Sequence, residues 1–160
     1  TMTQGSKKMT RGEWVDVCDS RLRAAGINNF TALEVCDVGR EYYGVQLSPP
    51  TLDLIYNAIK LIDILAWVRS ADGVAPVLIN SWYRDREYNE AIGGVSHSMH
   101  MTLGAADIVK VGWTPSDVAD LLEGHAAKTL FGIGRYKSFT HIDIRGMIGR
   151  SCPARWGTNE

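Results

Sequence analysis

The spacing of apolar and polar positions changes period once along the chain, near residue 73. Before that point it is helical. Trp14, Val17, Cys18, Leu22 and Ala25 lie three or four positions apart, which predicts a helix over 11–25 that Gly26 stops. A second short helix is predicted over 31–43, ending at Gly44. Ser48-Pro49-Pro50 reads as an N-cap followed by proline in the first turn, opening a helix that runs to about Ser70. Leu52, Ile55, Ile59, Ile62 and Ala66 form one stripe on it, and Leu54, Ala58, Leu61, Leu65 and Val68 an adjacent one. Two stripes predict a wide buried face near the centre of the domain.

Beyond residue 73 the segments shorten and strand formers dominate. Strands are predicted over 76–83, 105–111, 131–136 and 139–145, the last two joined by a turn near Lys137-Ser138. A short helix over 86–92 is broken by Gly93-Gly94, and Thr114-Pro115-Ser116-Asp117 opens another that reaches about residue 127. Helices first, then strands with one long helix, predict an α+β fold. A small, mainly antiparallel sheet carries helices packed on one side.

Composition narrows the class. The chain has 160 residues, 45% hydrophobic and 22% charged, which suits one globular domain and excludes disorder for most of its length. We expect a tail over 1–10, disordered or left by cloning since Thr1 precedes Met2, and one domain over 11–160. Residues 11–72 form its helical part and 73–160 the part that carries chemistry. A formal net charge of −1 gives no reason to expect nucleic acid as a partner. No apolar run approaches the roughly 18–20 residues that span a bilayer, and the polar start lacks a signal-peptide core, so no membrane insertion is expected. Cys18, Cys36 and Cys152 form no CxxC pair and predict reduced, buried thiols.

Two short segments hold the candidate chemistry. His100 precedes Asp107 by seven residues, and Asp107 sits in the apolar run Ala105-Ala106-Asp107-Ile108-Val109. A carboxylate there needs a cationic partner, either a divalent metal or an arginine such as Arg84 or Arg86. In Thr140-His141-Ile142-Asp143-Ile144, a period of two turns His141 and Asp143 to one face and the isoleucines to the core. His100, Asp107 and His141 would make a two-histidine, one-carboxylate set suited to catalytic zinc. From Lys128 to Arg155 six cations face one acid, Asp143, so this stretch favours anionic ligands or is a solvated basic tail.

The order of motifs from Ser81 to Trp156 resembles the zinc D-alanyl-D-alanine carboxypeptidase and peptidoglycan endopeptidase family, whose fold is shared by the hedgehog signalling domain. Ser81-Trp82-Tyr83-Arg84 resembles that family's S-G-[YF]-R strand end. Ser98-x-His100 with Ala105-Ala106-Asp107-Ile108 resembles its S-x-H-x-x-G-x-A-x-D signature. Gly132-Ile133-Gly134-Arg135-Tyr136 followed by His141-x-Asp143 resembles its G-[GV]-[IV]-G-x-Y and H-[VI]-D run, and Arg150 or Arg155 with Trp156 its closing R-x-W.

The resemblance implies zinc held by His100, Asp107 and His141, with Arg84 stabilising the anionic intermediate unless it merely pairs with Asp85 or Glu87. Ser98 would orient substrate or the first ligand, or be a turn hydroxyl. Tyr83, Tyr136 and Trp156 would wall a substrate cleft or belong to the core. Leu103 stands at the usual glycine, so the turn there is expected to be slightly rebuilt. Ser138 stands where many members carry the acidic base. Asp143 is then the expected general base, or else a partner that orients His141. His97 is a further polar residue beside the metal loop, and His125 is expected to play no part.

The expected activity is zinc-dependent hydrolysis of peptidoglycan stem peptides or cross-links by a monomer. A phage lysin held in the host cytoplasm before release to the wall would fit. A non-catalytic zinc-containing module of the same fold is the alternative.

Overall fold

A computed structural model of the protein describes residues 8–73 and 75–158. Of the expected N-terminal tail, residues 1–7 lie outside the described residues. Thr10 already belongs to the fold, as the N-cap of α1 (Arg11–Ala24), in a capping box with Glu13. This helix buries Trp14, Cys18 and Leu22, while Ala25 is exposed. It ends at Gly26, whose φ of 79° no side-chain-bearing residue adopts easily.

The helix expected over 31–43 is corrected. It stops after one turn, α2 (Ala32–Val35), because Cys36 is extended at φ −150°, ψ 109°. The chain then forms a hairpin of β1 (Glu41–Tyr42) and β2 (Val45–Gln46) across Tyr43-Gly44. Both turn residues have positive φ, 45° and 76°, the geometry that suits tight hairpins. Val35, Cys36, Val38 and Leu47 are all buried, so this segment still feeds the core although most of it is not helical.

The long helix also begins later than its proline pair suggests. A 3-10 turn at Leu52–Leu54 leads into α3 (Ile55–Ser70). Ser48 does not cap it, and its amide donates to Asp85 Oδ2 at 2.7 Å instead. Both predicted stripes contribute to the buried face, through Ile55, Ala58, Leu61, Ile62, Leu65 and Val68.

The second half supplies β3 (Val77–Ser81), α4 (Arg86–Ala91), β4 (Ala105–Lys110), α5 (Pro115–Glu123), β5 (Gly132–Arg135), β6 (Thr140–Asp143) and β7 (Ala154–Gly157). Thr114 and Asp117 close the expected capping box on α5, which ends at the C-cap Gly124, short of residue 127. The unpredicted β7 completes a five-stranded sheet of order β3-β4-β6-β5-β7. Every pairing in it is antiparallel except β5 with β7. Helices α3 and α5 pack on this sheet, and Ala106, Ile108, Ile133 and Ile142 are fully buried. Lys110 locks α3 to β4. Its buried ammonium donates to the carbonyls of Arg69 and Ala75 and pairs with Asp72 at 2.9 Å. Among the described residues no helix is long and apolar enough to cross a membrane.

Candidate metal centre

The site is built on one rung of the sheet. Ser81 on β3 is in register with Asp107 on β4, Asp107 with His141 on β6, His141 with Gly134 on β5, and Gly134 with Trp156 on β7. The period of two that sends Ile108 and Ile142 into the core turns Asp107 and His141 to the other face. His100 arrives from outside the sheet, on a 3-10 turn at Met99–Thr102 that Ser98 caps by accepting from the His100 amide at 3.2 Å. Leu103 ends the turn at φ 62° with its side chain fully buried. Leucine adopts the left-handed backbone that glycine favours, a strain of about 1–2 kcal/mol, and Trp82 Nε1 holds its carbonyl at 2.8 Å.

His100, Asp107 and His141 are all buried, and one ligand atom from each lies within 4.8 Å of the others. Asp107 Oδ1 is 3.3 Å from His100 Nε2 and 2.9 Å from His141 Nδ1. The remaining ring nitrogens are already committed. His100 Nδ1 donates to the Trp82 carbonyl at 2.5 Å, and His141 Nε2 donates to Asp143 Oδ2 at 2.8 Å. In the neutral imidazoles these bonds leave both lone pairs pointing at the Asp107 carboxylate. Two lone pairs and an anionic oxygen repel one another unless a cation stands among them. Ligands on a tetrahedral zinc ion with bonds of ~2.0 Å lie about 3.3 Å apart, close to the spacing observed. The donor set fits a borderline metal ion with a position left open.

When the rings are protonated they donate to Asp107 instead. In that state burial pushes the Asp107 carboxyl up, but the hydrogen bonds from His100 and His141 outweigh it and hold the group below the usual carboxylate range. Burial lowers His100 below its ordinary value, and Asp107 does not make up the difference. For His141 burial also opposes charge, yet hydrogen bonds with Asp107 and Asp143 prevail and raise it. Arg84 Nη2 reaches Asp107 Oδ2 at 3.2 Å while its Nε donates to Ser81 Oγ at 3.1 Å. The guanidinium is thus fixed beside Asp107 of the histidine–aspartate cluster rather than paired with Asp85 or Glu87.

Asp143 is fully buried and its oxygens are fully engaged. Oδ1 accepts from the amides of Gly132 and Arg145 and from Arg145 Nε, and Oδ2 from Arg145 Nη2 at 2.7 Å and from His141. Burial opposes its charge, but Arg145 and then His141 keep it well below the usual carboxylate range. Arg145 in turn lies over the Trp156 ring, 5.0 Å from its centroid. The role of Arg145 was missed in the sequence. The signal was its place two residues after Asp143, on the same face.

Two glycines make room for this arrangement. A Cβ on Gly132 would stand 2.4 Å from Asp143 Oδ2, and one on Gly134 would stand 2.6 Å from Trp156 Nε1.

A cleft of about 590 Å³ opens over the cluster, lined among others by Arg84, His97, Ser98, Tyr136, Arg145, Arg150 and Trp156. Trp156 lies 5.0 Å from the His141 ring and donates to the Tyr136 hydroxyl at 2.9 Å. Tyr83 does not join them and lines a separate cavity behind Arg84. Of the six cations between 128 and 155, Arg135 pairs with Asp120, Arg155 with Glu123 and Arg145 with Asp143. Arg150 bonds the His97 carbonyl at 2.8 Å on the cleft wall. His125 packs against Trp67 and Phe131. Cys18 and Cys36 are buried as expected, but Cys152 is exposed.

The site gathers two histidines, an aspartate and a fixed arginine under an open cleft. The chain belongs to the peptidase M15 family, whose model matches residues 28–143. It is 28% identical over 122 residues to the zinc D-Ala-D-Ala carboxypeptidase of Streptomyces albus G, a match that covers 76% of this chain. The chain spans about half of that relative, since the match covers 47% of it.

Proposed function

We propose that this chain is a zinc-dependent hydrolase of peptidoglycan stem peptides, cutting an amide next to a D-amino acid. Trimming of a terminal D-alanine or opening of a cross-link both fall within this reading. The observation that carries it is the convergence of His100 Nε2, Asp107 Oδ1 and His141 Nδ1, with the opposite nitrogens already bonded. The name of the Streptomyces relative supports zinc as the ion and a D-Ala-D-Ala peptide as the substrate.

Those three side chains would hold the zinc. When bound, the ion supplies Lewis acidity and brings the pKa of a coordinated water towards about 7. The chain's own residues do the rest. Arg84, anchored on Ser81 and Asp107, is a preorganised cation for the charge that develops on the scissile carbonyl oxygen. Tyr136 and Trp156 flank the peptide, and Ser98 fixes the His100 turn. Asp143 takes the part of orienting His141, because each of its oxygens already accepts at least two hydrogen bonds. The proton lost by the attacking water then passes to an imidazole nitrogen of His97, exposed on the cleft wall.

Elemental analysis of wild type beside His141→Ala, followed by digestion of purified peptidoglycan with both, tests the reading. One zinc in wild type, none in the variant and zinc-dependent release of new peptide ends is the expected result. No zinc in wild type would overturn it. Zinc without cleavage would favour a non-catalytic zinc module, a reading that the full occupancy of Asp143 and the serine at position 138 also favour.

A further inference from the structure

We propose that the chain has a second binding cavity, on the far side of Arg84 from the metal cleft, which holds the extended part of a peptide substrate. The proposal rests on the peptide-hydrolase reading above. For a substrate trimmed at its carboxyl end, the extension lies on the amino side of the scissile bond.

The cavity has a volume of about 430 Å³, within the range of built ligand sites. It is enclosed by α2, the β1–β2 hairpin, the end of β3 and α4. Arg84 stands between it and the reaction site and lines both spaces. The guanidinium bonds Ser81 on the wall of this cavity and Asp107 on the floor of the metal cleft. A chain whose scissile bond lies over the metal ligands and which runs past Arg84 enters this space.

Its walls suit a peptide backbone. β3 is an edge strand, paired only with β4. Its register slips between Ile79 and Ser81, since Ile79 faces Ile108 and Ser81 faces the adjacent Asp107. Asn80 is thereby bulged out of the ladder, and it is exposed and lines the cavity. Bulges recur beside active sites, where they re-aim a side chain. A primary amide offers one donor side and one acceptor side, which matches an extended backbone.

Opposite stand Tyr42 and Tyr88, with ring centroids 6.5 Å apart. The hairpin tip that presents Tyr42 is built on Tyr43, 85% exposed and held at φ 45°. Amide and aromatic walls, with Glu34, Asp37, Arg40 and Arg84 contributing two charges of each sign, match neither a phosphate nor a purely apolar ligand.

The test uses zinc-loaded protein and two substrates with the same scissile bond, N-acetyl-D-Ala-D-Ala and L-Ala-γ-D-Glu-L-Lys-D-Ala-D-Ala. Calorimetric binding of the uncleavable tetrapeptide L-Ala-γ-D-Glu-L-Lys-D-Ala is measured alongside. The pentapeptide is expected to have the higher kcat/KM, mainly through KM. Asn80→Ala and Tyr42→Ala should each lower that advantage about five- to tenfold, the worth of one hydrogen bond or ring contact, and weaken tetrapeptide binding in parallel. Equal kcat/KM for both lengths would overturn the cavity while leaving the hydrolase intact. Tetrapeptide binding that Asn80→Ala weakens, with neither substrate cleaved, would support the cavity and overturn the hydrolase. A protein that neither binds nor cleaves would overturn both.

Discussion

Replacing Asp143 by asparagine separates two roles that the H-x-D pattern leaves open. The amide keeps the shape but turns an NH2 group towards one of two donor sets. If it faces the Oδ2 position, it meets Arg145 Nη2 and His141 Nε2, which stand at 2.7 and 2.8 Å. Two charge-assisted bonds are lost and donors are left facing donors. Breaking a buried ion pair in this way costs about 3–5 kcal/mol. The lower end applies here, because the Arg145 side chain is 23% exposed and can turn to water. A loss of about 3 kcal/mol lowers the melting temperature by roughly 6–12 °C for a chain of this size.

With its Nε2 bond gone, the His141 ring is free to rotate. Loss of such an orienting partner weakens metal binding about 10- to 100-fold. Chelator competition for zinc, thermal unfolding and kcat at saturating zinc measure the three effects separately. The expected pattern is weaker zinc, a lower melting temperature and turnover largely restored by excess zinc. Wild-type zinc affinity and melting, with turnover reduced by more than about 10²-fold, would refute the argument. Asp143 would then be the general base.

Three further outcomes follow. His97→Ala should lower kcat about 10²- to 10⁴-fold with zinc affinity unchanged, as read by the same competition titration, and an unchanged kcat would remove His97 from the reaction. Gly134→Ala places a Cβ 2.6 Å from Trp156 Nε1, and overpacking of this kind costs about 1–3 kcal/mol. A shifted tryptophan emission, a lower melting temperature and slower turnover should appear together. Hydrogen bonds from Lys110 and then Trp113 pull the Asp72 carboxyl down to about 2. A folded-state pKa below the unfolded value stabilises the fold above the unfolded pKa, near 4. The gap in melting temperature between wild type and Asp72→Asn should therefore be full at pH 6 and shrink as pH falls from about 4 towards 2. A gap that stays constant across that window would refute the linkage.

Much of the fold was legible because its signals are local. The stripes of α3 and the capping box of α5 depend on residues within two turns, and they lie close to where the pattern puts them. The failures have a common cause in longer-range pairing. Residues 36–47 carry apolar positions at helix-like intervals, yet Gly39, Tyr43 and Gly44 take positive φ and the segment closes as a hairpin. The strand β7 has only four residues, and it exists because β5 offers an edge that it joins in parallel. Nothing in Ala154–Gly157 alone announces that partner.

The candidate metal cluster could be read for the opposite reason. A histidine or aspartate inside an apolar strand is costly alone, so its neighbours in sequence already point to a compensating group. What the one-dimensional pattern does not hold is the rung itself. Ser81, Asp107, His141, Gly134 and Trp156 come from five strands and meet only through register. In the sequence the glycine pair of β5 reads only as part of the strand predicted over 131–136. On the rungs it serves to leave space, Gly132 for the Asp143–Arg145 pair and Gly134 for the indole over His141. Arg145 follows the same logic. In the sequence it is one cation among six, and in the sheet it bonds both oxygens of Asp143, the carboxylate that fixes His141. Each strand thus contributes one residue to a common line, and a slip of one residue would turn a strand's member to the opposite face. The order that fixes the site is the order that fixes the sheet.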